Sequence, residues 1–63
     1  MELMKFIRVT NTCLIIADYQ FYAPLTETID NWCYKTYKYH PRQGLVLNFS
    51  NEKDMTFFLL QWE

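Results

Sequence analysis

The sequence predicts a small α+β domain: a three-stranded, at least partly antiparallel sheet with one or two helices packed on one face. Three observations predict it. Residues 4–22 are rich in β-branched and aromatic side chains, apolar residues recur at helical spacing in 25–38, and residues 44–62 change from a two-residue period to a helical one. A chain of 63 residues leaves room for one domain, spanning positions 1–63.

Residues 4–9 and 13–22 are the first two predicted strands. Thr10-Asn11-Thr12 separates them, and Asn11 tolerates a positive φ, so a tight hairpin is expected. In the second strand we expect one alternating set of side chains to face the core: Cys13, Ile15, Ala17, Tyr19 and Phe21. The other set would lie on the opposite face: Leu14, Ile16, Asp18, Gln20 and Tyr22.

Pro24 is expected to end the second strand, and Thr26 or Thr28 can cap the helix that follows. This helix is predicted to run from residue 25 to about residue 38, because Pro41 prevents its continuation beyond His40. Its apolar stripe comprises Leu25, Ile29, Trp32, Cys33 and Tyr37.

The last part of the chain, residues 44–62, predicts a third strand followed by a terminal helix. Apolar residues alternate over 45–49, and a helical stripe follows, made of Met55, Phe58, Leu59 and Trp62. Asn51 can cap the first turn of the helix, with Asp54 reaching back in a capping-box arrangement. The predicted order is therefore β-β-α-β-α. The alternative is β-β-α-β-β, with residues 51–54 as a turn and residues 56–62 as a returning strand.

Composition and charge limit the function. Five Phe, five Tyr and two Trp are too many for a domain of this size to bury completely, so some aromatic surface is expected to face a partner. The net charge of −1 makes nucleic acid an unlikely partner. No apolar run reaches 18 residues and residues 1–5 lack a signal-peptide pattern, so we expect a cytoplasmic protein without membrane association.

The sequence offers no pattern for catalysis or for a bound cofactor. Asp18, Glu27 and Asp30 form no recognisable acid–base motif, and His40 has no local nucleophile. We interpret Cys13 and Cys33 as two reduced core thiols. A zinc site is not expected, because His40 is the only histidine available to complete a set of four ligands. We therefore expect no enzymatic activity, no cofactor and no metal.

Aromatic and basic residues alternate in residues 34–42, YKTYKYHPR. This pattern is typical of a helix end that carries cations and half-packed tyrosines, and it also suits stacking and charge contacts with a partner. Trp62 lies one residue from the end of the sequence and is either a core residue or an interface residue. The expected partner-binding residues are Tyr34, Tyr37, Lys38, Tyr39, Arg42 and Trp62. We also expect the open edges of the sheet, whose outer strands contain no proline, to pair with a second copy or with a partner's strand.

The spacing of Phe49, Asn51, Asp54, Phe58, Leu60 and Trp62 forms the pattern F-x-N-x-x-D-x-x-x-F-x-L-x-W. This pattern resembles the closing segment of small accessory proteins encoded by T4-like tailed bacteriophages, over about fourteen residues. The resemblance implies a protein that binds one bacterial host protein and inhibits or redirects it, such as a restriction or CRISPR nuclease, a toxin or the transcription machinery.

The predicted function is therefore that of a small non-enzymatic interaction protein, a phage-encoded inhibitor that acts by stoichiometric binding to a host or defence protein. Two alternatives from other classes stay open. One is a small nucleic-acid-binding or transcription-modulating domain, which would use the cations of residues 34–42 to contact phosphates. The other is a structural subunit of a homo-oligomer, such as a homodimer. The salt dependence of binding separates the inhibitor from the nucleic-acid-binding domain, because phosphate contacts weaken steeply as the salt concentration rises.

Overall fold

The computed structural model describes residues 4–63. It shows a four-stranded antiparallel sheet with helices on one face. The α+β class is confirmed, with one strand more than the three predicted. Residues 1–3, part of the segment inspected for a signal peptide, lie outside the described residues. The elements follow in the order β1 (Phe6–Thr10), β2 (Cys13–Ile16), α1 (Tyr19–Tyr22), α2 (Thr26–Tyr37), β3 (Arg42–Gln43), β4 (Val46–Asn48) and α3 (Glu52–Trp62). Across the sheet the strand order is β1-β2-β4-β3.

The hairpin of β1 and β2 forms as predicted, but the second strand is shorter than predicted and presents its other side to the core. Leu14 and Ile16 are buried, whereas Ile15 is 37% exposed, so the predicted core set of this strand is wrong. All four residues of β2 are apolar, and only the polar residues after it indicated an orientation. Those residues have left the sheet, so they carry no information about the face of the strand.

The chain leaves the sheet at Ile16 because Asp18 caps a helical turn. The Asp18 carboxylate accepts a hydrogen bond from the backbone N–H of Phe21, at 3.1 Å, and α1 follows. A 3-10 turn, Ala23–Leu25, then leads directly into α2. The predicted strand over residues 17–22 is therefore wrong, since the local capping bond of Asp18 prevails over the alternating pattern.

Helix α2 has the predicted apolar stripe. Ile29 and Cys33 are buried, and the other stripe residues are partly buried against the core. The predicted threonine cap is wrong for Thr26, because its hydroxyl donates back to the carbonyl oxygens of Tyr22 and Ala23, at 3.2 and 3.1 Å. The N-cap position is Leu25, without a side-chain hydrogen bond. The helix ends at Tyr37, and the C-cap residue Lys38 is left-handed, with φ 69°.

Strand β3 is the element that the sequence did not predict. Arg42 and Gln43 pair with Leu47 and Val46 of β4, across a two-residue turn that begins at Gly44. Gly44 has φ +65°, the positive value that a type II′ hairpin turn requires at its first central residue. A strand of two residues is too short to show a period, which explains why it was missed.

The terminal helix α3 is confirmed over the alternative returning strand. Asn51 caps it as predicted, because its side-chain oxygen accepts from the Asp54 N–H at 2.9 Å. The predicted reciprocal capping-box bond, from the Asn51 backbone N–H to the Asp54 carboxylate, is not formed. The Asp54 carboxylate accepts instead from the Tyr39 hydroxyl at 3.0 Å and from the side-chain amide nitrogen of Asn51 at 3.5 Å. Capping boxes use Glu or Gln at this position, and aspartate is one methylene shorter.

The core lies between the sheet and the helices. Strand and helix residues contribute to one cluster, and the aromatic rings of Phe6 and Phe58 meet edge to face at 5.3 Å in it. The helices thus cover one face of the sheet, as predicted. The buried residues are Phe6, Leu14, Ile16, Tyr22, Ile29, Cys33, Leu47, Phe49, Met55 and Phe58.

Candidate binding surfaces

The tyrosines at positions 37 and 39, expected to contact a partner, hold the start of α3. The Tyr37 hydroxyl donates to the Asp54 carbonyl oxygen at 2.8 Å, and the Tyr39 hydroxyl donates to the Asp54 carboxylate. The Tyr39 oxygen also accepts from the Ser50 N–H at 3.0 Å. Burial is the main reason why the pKa of Tyr37 is raised. Both hydroxyls therefore make internal contacts that fasten the end of α2 to the start of α3.

Arg42, another expected contact residue, is paired within the domain. Its guanidinium forms a two-pronged ion pair with Asp30 of α2, with Nε–Oδ1 and Nη2–Oδ2 distances of 2.9 Å. A further hydrogen bond runs from Nη1 to the Gly44 carbonyl oxygen, at 3.0 Å. The side-chain hydrogen bond to Asp30 is the main cause of the raised pKa of Arg42. The pair connects β3 to α2, and it leaves the guanidinium few donors for a partner.

Tyr34 and Lys38 are the members of the predicted set that face solvent. Tyr34 is exposed and its ring stacks on that of His40, with the centroids 4.9 Å apart and the planes at 16°. Lys38 is exposed at the C-terminal end of α2. These residues form the solvent-facing part of the predicted segment.

Trp62 is partly buried and packs on the core. Its ring meets Trp32 edge to face at 5.8 Å, and Trp32 in turn stacks on Phe57 at 5.7 Å. Within residues 4–63, the buried Trp62 Nε1 has no hydrogen-bond partner. The indole therefore holds the last turn of α3 against α2, the core role that the sequence left open beside an interface role.

The face of the sheet that the helices leave uncovered is the largest feature that the sequence analysis missed. Register places Ile7 of β1 opposite Ile15 of β2, and Ile15 opposite Val46 of β4. Ile7 and Ile15 are 47% and 37% exposed, and Val46 is partly buried. Gln43 continues this row on β3, and Cys13 and Asn48 pair in the next row. We call these six residues the open sheet face, and none of them is charged.

The apolar character of this face departs from the usual antiparallel sheet, in which one face packs on the core and the other carries polar residues. A signal for it was present in the sequence, because both alternating sets of β2 are apolar. A strand with apolar side chains on both faces is favoured when each face packs against another apolar surface. The helices supply one cover, and the other side of Ile7, Ile15 and Val46 faces solvent.

A groove between α2 and α3 is a second apolar surface. Its volume is about 630 Å³, and Phe57 and Leu60 of α3 line it with exposed side chains, Leu60 being 80% exposed. The rim carries charges of both signs from the first turn of α3. The groove is lined by Thr36, Tyr37, Glu52, Lys53, Asp54, Thr56, Phe57 and Leu60.

Metal-binding and membrane-spanning features are absent from the part of the chain that the structure describes. Across residues 4–63, no three His, Cys, Asp or Glu side chains gather in a way that could hold a metal ion. None of the helices formed by these residues has the length and apolar character that crossing a bilayer requires. Cys13 and Cys33 are both free thiols.

Comparison with known proteins adds no relative. No protein family, no curated protein and no solved structure matches the chain. The surfaces described above are therefore the basis for any statement about function.

Proposed function

We propose that the protein is a small non-enzymatic binding module that docks on one protein partner through its open sheet face. The observation that carries this proposal is the uncharged row of Ile7, Ile15 and Val46 on the side of the sheet without helices. Burying such a row against an apolar surface is favourable, at about 25 cal/mol for each Å² removed from water. Phosphates would gain nothing from it, so a protein surface suits it better than nucleic acid.

The mode of action that fits this surface is stoichiometric occupation of a partner, as in inhibitors. An inhibitor needs complementary shape and apolar contact and no catalytic groups. The resemblance of residues 49–62 to phage accessory proteins supports a bacterial host or defence protein as the target, reached in the host cytoplasm. Tyr34 and Lys38 form a separate exposed surface that the same experiment can compare.

A tagged pull-down from nuclease-treated bacterial lysate tests the proposal, with retained proteins identified by mass spectrometry. The test variant is Ile7→Thr with Ile15→Thr, which keeps β-branched side chains and removes apolar surface. Leu60→Gln is the matched control in the α2–α3 groove, and Tyr34→Ala with Lys38→Glu probes the segment predicted from the sequence. Circular dichroism and thermal unfolding establish that each variant is folded.

We expect one host protein to be retained at a ratio near one-to-one by the wild type and by Leu60→Gln, and to be lost with the isoleucine variant. Retention by the folded isoleucine variant would overturn the open sheet face as the binding surface. Loss with the Tyr34 and Lys38 variant alone would move the surface to the end of α2. If proteins are retained from an untreated lysate and none from the nuclease-treated lysate, the partner is nucleic acid and the proposal is wrong.

A further inference from the structure

The two edges of the sheet differ in how far they are protected. β3, at one edge, has two residues and follows directly after Pro41, and both features discourage pairing with another strand. β1, at the other edge, has five residues and contains no proline. A register irregularity between Arg8 and Thr10 ends its regular part. The segment from Phe6 to Arg8 is therefore the regular, unprotected edge of the sheet.

The hydrogen-bonding direction of each residue in this segment follows from the pairing with β2. The Ala17 N–H donates to the Lys5 carbonyl oxygen at 2.9 Å, so Lys5 faces β2. Successive residues of a strand direct their backbone groups to opposite sides. Ile7 therefore also faces β2, whereas the N–H and C=O groups of Phe6 and Arg8 point outward from the sheet.

Charge distinguishes this edge from the remainder of the described residues, 4–63. Residues 4–17 contain Lys5 and Arg8 and no acidic residue, whereas residues 18–63 contain four basic and six acidic ones. Lys5 is engaged internally, since its ammonium donates to the Glu63 carbonyl oxygen and lies 4.5 Å from the centre of the Phe21 ring. Arg8 is exposed and forms no ion pair or hydrogen bond within the described chain. Among residues 4–63, the open edge thus carries one cation without an internal partner.

We propose that β1 receives an extended acidic segment of the partner protein as an antiparallel fifth strand. Its backbone would pair with Phe6 and Arg8. An apolar side chain opposite Ile7 would extend the row of the open sheet face, and a carboxylate opposite Arg8 would meet the guanidinium. A second copy of this chain fits less well, because its own β1 would bring another Arg8 and no acid to the edge.

This inference rests on the proposed function, because it states how the partner engages the sheet. The probe is a synthetic peptide of alternating residues, acetyl-Glu-Val-Glu-Val-Glu-Val-Glu-amide. The first control peptide replaces every Glu by Lys. The second carries a methyl group on the backbone nitrogen of each Glu, which keeps the charge and removes the N–H donors that would face Phe6 and Arg8. Backbone amide NMR of the protein, at up to about 1 mM peptide, reports where and how tightly each peptide binds.

We expect saturable shifts and slowed hydrogen exchange at the Phe6 and Arg8 amides with the Glu/Val peptide alone. Arg8→Glu should weaken this binding about ten-fold, because the charge contact becomes a repulsion. Lys35→Glu makes the same change of charge on α2, outside the hairpin, and should leave the affinity within about two-fold. A spectrum with native dispersion establishes that both variants are folded.

Equal binding of the Lys/Val or the N-methylated peptide, no effect of Arg8→Glu, or no binding at about 1 mM would each overturn the inference. Protection of the Phe6 and Arg8 amides that grows with protein concentration alone would assign the edge to a second copy, and would overturn it too. If these results occur while target capture still depends on Ile7 and Ile15, the edge inference fails alone. If capture does not depend on those residues, the proposed function fails.

Discussion

At the scale of single residues, Tyr37 and Tyr39 show why a pattern that suits binding can serve folding. The Tyr37 hydroxyl donates to the Asp54 carbonyl oxygen and the Tyr39 hydroxyl donates to the Asp54 carboxylate, so both residues hold the first turn of α3 in place. Arg42 likewise pairs with Asp30. The residue types were predictable from the sequence. Their partners were not, because they are 12 to 17 positions away along the chain.

The cap of α3 gives a prediction at this scale. Asn51→Ala removes the acceptor of the Asp54 N–H bond and should lower the free energy of unfolding by about 1 kcal/mol. In a domain of this size that corresponds to a drop in Tm of about 4–8 °C. Ser50→Ala is the control, because only the backbone N–H of Ser50 is bonded. Thermal unfolding that gives the two variants the same Tm would contradict the capping role.

The two cysteines should differ sharply in reactivity. Burial, together with the nearby Asp30 carboxylate, raises the pKa of the Cys33 thiol to about 12. Since the thiolate is the reactive form, we expect one thiol per folded chain, Cys13, to react with an aromatic disulfide reagent at pH 8. Cys13→Ser should remove this reaction, and Cys33 should react only in denaturant. Two thiols reacting at the same rate in the folded chain would refute this.

At the scale of elements, periodicity was a good guide where a helix lies on the core. The stripes of α2 and α3 are as predicted, because each helix has one buried face and enough turns to show it. Periodicity failed for β2, whose residues are apolar on both faces, and for β3, which has two residues. The open sheet face went unpredicted for the same reason: the sequence shows which side chains are apolar, and only the fold shows which side the helices take.

The end of α2 yields an element-scale prediction. Lys38 holds a left-handed conformation at the helix C-terminus, φ 69°, which favours glycine. Relief of the left-handed strain should exceed the cost of the greater chain entropy that Gly has in the unfolded state, so Lys38→Gly should raise the free energy of unfolding by about 0.5–1 kcal/mol. Lys35→Gly, inside the last turn of the same helix, should instead lower it by about 1 kcal/mol. Urea unfolding measures both, and a destabilised Lys38→Gly variant would contradict the strain argument.

At the scale of the whole molecule, two tyrosine hydroxyls and one thiol that are buried or half-buried should make the fold sensitive to high pH. Burial is the main cause of the raised pKa of Tyr22, Tyr37 and Cys33, from ordinary values of 10.0 for tyrosine and 9.0 for the thiol. In the unfolded chain these groups lose their protons first, so the unfolded state binds fewer protons at high pH. Stability is therefore fully present below about pH 9 and is lost as pH rises.

We expect the free energy of unfolding to fall from about pH 9, and more steeply above about pH 10, by up to about 1.4 kcal/mol per pH unit for each group. Solvent near the half-buried Tyr37 reduces its share. Urea unfolding at pH 8, 9.5 and 11 measures the fall, and Tyr37→Phe should make it shallower. An unfolding free energy that stays constant up to pH 11 would be incompatible with these buried groups remaining protonated.

The layer arrangement is the basis of the functional proposal. Helices α2 and α3 pack on one side of a sheet whose strand β2 carries apolar residues on both sides, so the fold buries one apolar layer and exposes another. Exposed apolar rows contribute little to the stability of the isolated domain, and they stabilise a complex once a partner covers them. Replacing them should therefore affect binding much more than folding.

The most direct test of this claim is a calorimetric titration of the purified captured protein with three forms of the chain: wild type, Ile7→Thr with Ile15→Thr, and Leu60→Gln. If the open sheet face is the binding surface, the wild type and Leu60→Gln should both bind one-to-one. We expect an affinity at least about ten-fold weaker for the isoleucine variant. Its free energy of unfolding should lie within about 1 kcal/mol of the wild-type value. An isoleucine variant that stays folded and binds as tightly as the wild type would contradict the open sheet face as the binding surface.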